Sequence, residues 1–293
     1  MVITKPLKIS ILVGGKSLLV FVQLFKQILV NVALLLWATL TYAAPQKIVS
    51  LNLCTDQLLM LLADPNQIAS LSKIVDDQNV SFLAEKSAEF RKNRGDAEEI
   101  FVDSPDLVVA GVYTEKATVQ ILQSLGVRVE IFPIEQNFDD IIQNIRKMGL
   151  LVGHSDRSER MIDDFNVRLA ELRSGITERP RAAIYSANGY TTGIDTMSGQ
   201  ILKTAGFRNI TEEVGMSFGG TLPLETLVML QPDLVITGKA YPGHSRSEEI
   251  LKHPALRPFK TVTQTDAKWI CGTPAVLDAV EELQRAHPEK GLK

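Results

Sequence analysis

One stretch of this chain occurs twice, and few folds accommodate it. Residues 98–111 and 225–238 share the pattern Glu-x6-Pro-Asp-Leu-Val-x2-Gly, running from Glu98 to Gly111 and from Glu225 to Gly238. Proline cannot continue a helix, and it biases the residue before it away from helical geometry. The apolar, β-branched run after it suits a strand buried on both faces. Each copy is therefore expected to fold as a short helix, a Pro-Asp stop, a buried strand and a turn at glycine. Two copies this far apart argue for two similarly built halves.

The rest of the chain alternates in the same way. Lys47–Asn52 reads as a strand, with Thr55 or Asp56 capping a helix whose apolar residues are Leu58, Leu59, Leu62 and Ala63. Strands at 68–71, 107–110 and 127–132 follow, with a helix over 115–125 ending at Gly126. Between them, 76–94 is polar and without a period, and ends in the basic run Arg91-Lys92-Asn93-Arg94. A helix over 138–151 closes at Gly153, and Ser155 is placed to cap a second helix reaching Arg173. Met161, Ile162, Phe165, Leu169 and Leu172 make one apolar stripe on that second rod, which reads as a rigid strut between the halves. The second half opens with a strand at 182–186 and a hydrogen-bonding loop over 187–193. It continues with helices over 200–205 and 224–230, strands at 234–237 and 261–264, and a helix from Pro274 to Arg285. Strand–helix alternation of this kind means parallel or mostly parallel sheets covered on both faces.

The first 43 residues are different in kind. They hold Lys5, Lys8, Lys16 and Lys26 and no acid, followed by an apolar run at 28–40 and the small-residue site Thr41-Tyr42-Ala43. That is the pattern of a secretory signal cleaved after Ala43, with an apolar core too short for a comfortable membrane span. Removing it takes 4 of the 31 basic residues and none of the 34 acids, so the charge moves from −3 to 27 − 34 = −7. An acidic exported chain argues against nucleic acid or anionic membrane as a partner. Export also puts the two cysteines, Cys54 and Cys271, in an oxidising compartment. Both follow strand ends, so they would bridge if the halves bring those ends together. Sequence alone leaves two separate thiols equally open.

The order and spacing of these pieces resemble the periplasmic substrate-binding proteins of ABC importers for vitamin B12, iron–siderophores and haem. The resemblance is carried by Ile48-Val49-Ser50-Leu51, the two repeat copies, Ser124-Leu125-Gly126-Val127 and Trp269. It implies an α/β chain of two Rossmann-like lobes with mostly parallel sheets joined by one long rigid helix, the class III architecture. The lobes would span 44–154 and 175–293, with 155–174 as the connecting helix. It further implies a monomer in the periplasm that captures a small-molecule metal chelate between the lobes. The chelate would pass to a permease with its ATPase subunits, and no resident cofactor or metal is implied. By motif position, Glu98 and Glu225 would dock onto permease arginines. The helix dipole alone is the competing reason for an acid there.

Ligands of open α/β sheets sit beyond the carboxyl ends of the strands. Asn52, Cys54, Arg94, Tyr113, Asn188, Tyr190, Tyr241 and Trp269 occupy such places. Tyr113 and Tyr241 stand at near-equivalent offsets and read as cleft walls or as ligands to haem or ferric iron. The vitamin B12 pattern has an aromatic residue where this chain has Lys92-Asn93-Arg94-Gly95. A basic loop favours an anionic ferric siderophore over a corrinoid or haem. The alternative of another class is an exported enzyme using Cys54 as nucleophile with a histidine base. The four histidines, at 154, 244, 253 and 287, form no catalytic motif, and the chain has no phosphate-cradling glycine loop.

Overall fold

The computed structural model describes residues 25–27, 44–176, 178–240, 243 and 245–286. The expected leader, its apolar core and its cleavage site thus lie outside the described residues, except for a helical turn at 25–27. Everything below concerns the unit that begins at Ala44. No helix among the described residues is long and apolar enough to cross a membrane.

Two parallel sheets carry the fold. The first is built from β1 (Ile48–Ser50), β2 (Ile68–Ser72), β3 (Lys92–Asn93), β4 (Leu107–Gly111) and β5 (Val129–Phe132), in the order β3-β2-β1-β4-β5. The second takes β6 (Arg181–Ile184), β8 (Arg208–Asn209), β10 (Leu234–Gly238) and β11 (Thr261–Thr265), in the order β11-β10-β6-β8. All pairings within both are parallel. A separate antiparallel pair joins β7 (Tyr190–Thr191) to β9 (Gly220–Thr221).

The repeated stretch folds the same way twice. Its first copy gives α3 (Ala97–Val102) and β4, and its second gives α8 (Leu224–Leu230) and β10. Both strands are buried over their first four residues. Each lies beside the opening strand of its half: Ile48 faces Leu107, and Ala182 faces Leu234. The residue before each proline, Ser104 or Gln231, adopts φ near 49°, a left-handed stop that turns the chain from helix to strand.

The aspartate after each proline has a job that spacing did not reveal. Asp106 Oδ2 accepts from the backbone N–H groups of Gln46 and Lys47, at 2.8 and 2.9 Å. Asp233 Oδ2 accepts from the Arg181 N–H at 2.7 Å. Each carboxylate thus ties down the start of the neighbouring strand, and the motif is a strand anchor as well as a helix stop.

The described helices are α1 (Leu53–Leu62), α2 (Ala84–Ser87), α3, α4 (Lys116–Ser124), α5 (Phe138–Val152), α6 (Ser155–Arg173), α7 (Met197–Thr204), α8 and α9 (Val276–Arg285). The cap of α1 is Asn52, whose Oδ1 accepts from the N–H groups of Cys54 and Thr55. It is neither Thr55 nor Asp56, both of which are buried inside the helix. His154, not Ser155, holds the cap position of α6, and its side chain makes no capping bond. The polar stretch before the first repeat contains α2 and the edge strand β3, which lack a period because each is too short to show one. The loop at 187–193 is pinned by the β7–β9 pair.

Helix α6 meets the expectation of a strut. Its nineteen residues span about 28 Å at 1.5 Å per residue. Ile162, Phe165 and Leu169 are buried, and the Phe165 ring lies 6.0 Å from that of Phe138 on α5. Its first turn is tied to the first half, where Arg157 donates to the Leu62 carbonyl and pairs with Asp64 at 2.8 Å. Its far end is tied to the second half. There Arg168 pairs with Asp278 and Glu281 of α9, and Gln284 donates to the Leu172 carbonyl. One continuous apolar cluster runs from Ile48 and Leu59 through Phe165 to Ile201, Trp269 and Val280.

Candidate functional site

The two halves meet where their strands end. Cys54, in the first turn of α1 just beyond β1, is bonded to Cys271, which follows β11. The bond closes a separation of 217 residues and joins one lobe to the other. Cys54 therefore offers no free thiolate, and the reading of this chain as an enzyme with a Cys54 nucleophile is corrected on that ground. Beside the disulfide, Glu135 follows β5, accepts from Asn144 and packs against Gly272. Burial pushes the Glu135 carboxyl above its ordinary range, against that hydrogen bond. The approach is close enough that a Cβ on Gly272 would lie 2.4 Å from Glu135 Cγ.

A cavity of about 600 Å³ opens beside this junction. Gln78, Asn79, Phe82 and Glu85, from the segment after β2, form its wall on the first lobe. Lys239, after β10, and Asp266 and Trp269, after β11, form its wall on the second. The size falls within the usual range for small-molecule sites, and the place is the carboxyl edge of both sheets. Trp269 is buried, and its Nε1–H has no hydrogen-bond partner among the described residues.

Of the residues placed at strand ends from sequence, Trp269 lines this cavity, whereas Asn52, Arg94, Tyr113, Asn188 and Tyr190 do not. Asn52 spends its carbonyl oxygen capping α1 and packs against Gly111, where a Cβ would approach Asn52 Cγ to 2.9 Å. Tyr113 is 85 % exposed in the turn after β4. Asn188 is exposed with φ of 56°, and Tyr190 is half exposed at the start of β7, its ring over Gly219. Tyr241 lies outside the described residues.

The basic loop does not offer free charge. Arg91 pairs with Asp103, Lys92 with Asp76 at 3.0 Å, and Arg94 with Asp96 at 3.1 Å. Each of these cations thus has an acidic neighbour that offsets part of its charge. Sequence reasoning missed the 78–85 wall altogether, because a polar stretch without periodicity carries no signal for what it faces.

Glu98 and Glu225 each occupy the second position of their helices, α3 and α8, and both are exposed. No hydrogen bond or ion pair is seen at either side chain among the described residues. One turn further along, Val102 and Met229 are 80 % and 82 % exposed. The two lobes thus present a carboxylate and an apolar neighbour in equivalent settings.

The family model described as "Periplasmic binding protein" matches residues 48–268. A protein named cobalamin-binding protein, from Halobacterium salinarum, is 26% identical over 204 residues, covering 66% of this chain. The match spans about half the length of that relative, 54%. Among solved structures, the periplasmic haem-binding protein RhuT of Roseiflexus sp. RS-1 superposes with a TM-score of 0.68 at 20% identity, covering 83% of this chain and 98% of its own. The vitamin B12 binding protein BtuF of Vibrio cholerae does so with a TM-score of 0.65 at 17% identity, covering 85% and 99%. At such identities the likeness is one of fold: two α/β lobes of the class III kind.

Proposed function

The chain belongs to the periplasmic binding protein family, a family of solute-binding proteins and not enzymes, and from that premise we propose that it is the solute-binding component of an ABC importer. It is exported by its leader, works as a monomer in the periplasm and captures a metal chelate between its lobes. The observation that carries this reading is the cavity at the carboxyl edges of both sheets, walled by both lobes, with the Trp269 side chain on its second-lobe wall.

Among chelates, a corrinoid is the leading reading. The charge that favoured an anionic siderophore is paired within the protein, and the matched curated relative carries the name cobalamin-binding protein. A ferric siderophore is the second reading, supported by the exposed Lys239 on the cavity wall. Glu98 and Glu225 are assigned to docking on permease arginines, since they point outward in equivalent places on the two lobes.

The test is titration of the processed protein with cyanocobalamin, a ferric hydroxamate and haemin, followed by Trp269 fluorescence. A chain starting at Ala44 has no other tryptophan. One of the three is expected to quench the signal with a Kd of about micromolar or below. If none binds, the chelate reading fails.

A further inference from the structure

The segment Trp269-Ile270-Cys271-Gly272 belongs by sequence to the second lobe, yet the first lobe holds it at two adjacent points. Cys271 is bonded to Cys54 at the head of α1. Gly272 is packed against the side chain of Glu135, which comes from beyond β5 on the other flank of β4. Trp269 and Ile270, immediately before these anchors, form part of the cavity wall. Cys271 is buried and Cys54 half-buried, so the bond sits at the seam between the lobes.

We propose that the Cys54–Cys271 bond and Glu135 together latch the Trp269 wall of the cavity onto the first lobe, and that reduction of the bond by a dithiol releases that wall. With the latch closed, the indole is held in place before any ligand arrives, and binding forfeits less conformational freedom. With it open, Glu135 and packing alone hold the turn. The release is an ordinary thiol–disulfide exchange. A thiolate of the dithiol attacks Cys54 Sγ, and Cys271 Sγ leaves and takes a proton. The second thiol of the reductant then closes its own disulfide and frees Cys54 as a thiol. Two electrons and two protons pass to the protein, and the dithiol is oxidised. Glu135 is a positioning residue here, acting on the cavity only through Gly272.

The effect on ligand capture rests on the proposed binding function, but the latch itself is read without ligand. Hydrogen exchange is followed on the processed protein as isolated, on the same folded protein after dithiothreitol, and on Glu135→Ala and Glu135→Gln. Reduction is expected to speed exchange of the backbone amides over 269–273 by about tenfold, with β4 and β10 unchanged. Glu135→Ala is expected to add to that effect in the reduced protein, and Glu135→Gln, which keeps the side chain's shape, to restore much of it. Cyanocobalamin affinity should fall by about tenfold on reduction. Unchanged exchange over 269–273 after reduction overturns the latch. So does uniform acceleration across both sheets, which would make the bond a support of global stability alone. If the exchange responds locally while none of the chelates binds either form, the latch stands and the ligand reading falls. Reducing protein that is already folded gives the readout even if Cys54→Ser/Cys271→Ser does not fold.

Discussion

Replacing Asp56 by asparagine separates a buried charge from a buried shape. Asp56 lies in α1 with no exposed surface, where it accepts from the Ser72 N–H at 3.1 Å and from the Ser72 hydroxyl. Burial is the dominant influence on its carboxyl and raises the pKa from 3.8 to about 7, against hydrogen bonds from Ser50 and Ser72 and the charge of Lys92. The sign follows from proton counting. Between about pH 4 and pH 7 the folded chain keeps a proton that the unfolded chain has released, so stability falls as pH rises through that window. The stabilising proton is fully in place below the unfolded value and lost above the folded one. Three pKa steps at about 1.4 kcal/mol each amount to about 4 kcal/mol, as an order of magnitude. Asparagine resembles the protonated acid at every pH. Urea unfolding of both proteins from about pH 4 to pH 8 therefore has a definite expectation. The variant should match the native chain at the acid end and exceed it by up to about 4 kcal/mol at the alkaline end. Every other titrating group is shared, so the difference between the two curves isolates Asp56. Curves that run parallel across the range would refute the reasoning.

Asp106→Ala and Asp233→Ala should each cost about 0.5–1.5 kcal/mol of unfolding free energy, because each removes a hydrogen-bond acceptor from N–H groups at an exposed strand start. Chemical denaturation measures this, and a neutral result would mean that water replaces the carboxylate. Glu98→Ala/Glu225→Ala should leave folding and chelate affinity within error of the native protein while abolishing stimulated ATPase activity of the reconstituted importer. Loss of chelate affinity with docking intact would instead place both residues in the binding site. Trp269→Phe should lower the melting temperature modestly, since a buried core indole is replaced by a smaller ring, and weaken chelate binding by about tenfold. Calorimetric titration decides between that and a purely structural tryptophan.

The Glu-x6-Pro-Asp-Leu-Val-x2-Gly repeat determined the architecture by itself. A proline stop, a β-branched run and a glycine turn act over a few residues, and such local rules are written in order along the chain. The same holds for the apolar stripe of α6, which foretold a strut because one stripe can bury only one face. The short elements α2 and β3 escaped notice because they are set by pairing at a sheet edge and not by local pattern. Whether the two cysteines meet and what Asp106 and Asp233 grip are matters of distance between residues far apart in sequence. The cavity belongs to that second kind. Its walls come from 78–85 and from 266–270, segments with no shared pattern. Only the meeting of the two lobes, drawn together by α6, Glu135 and the Cys54–Cys271 bond, puts the Trp269 side chain on one wall of a cavity whose other wall is the first lobe.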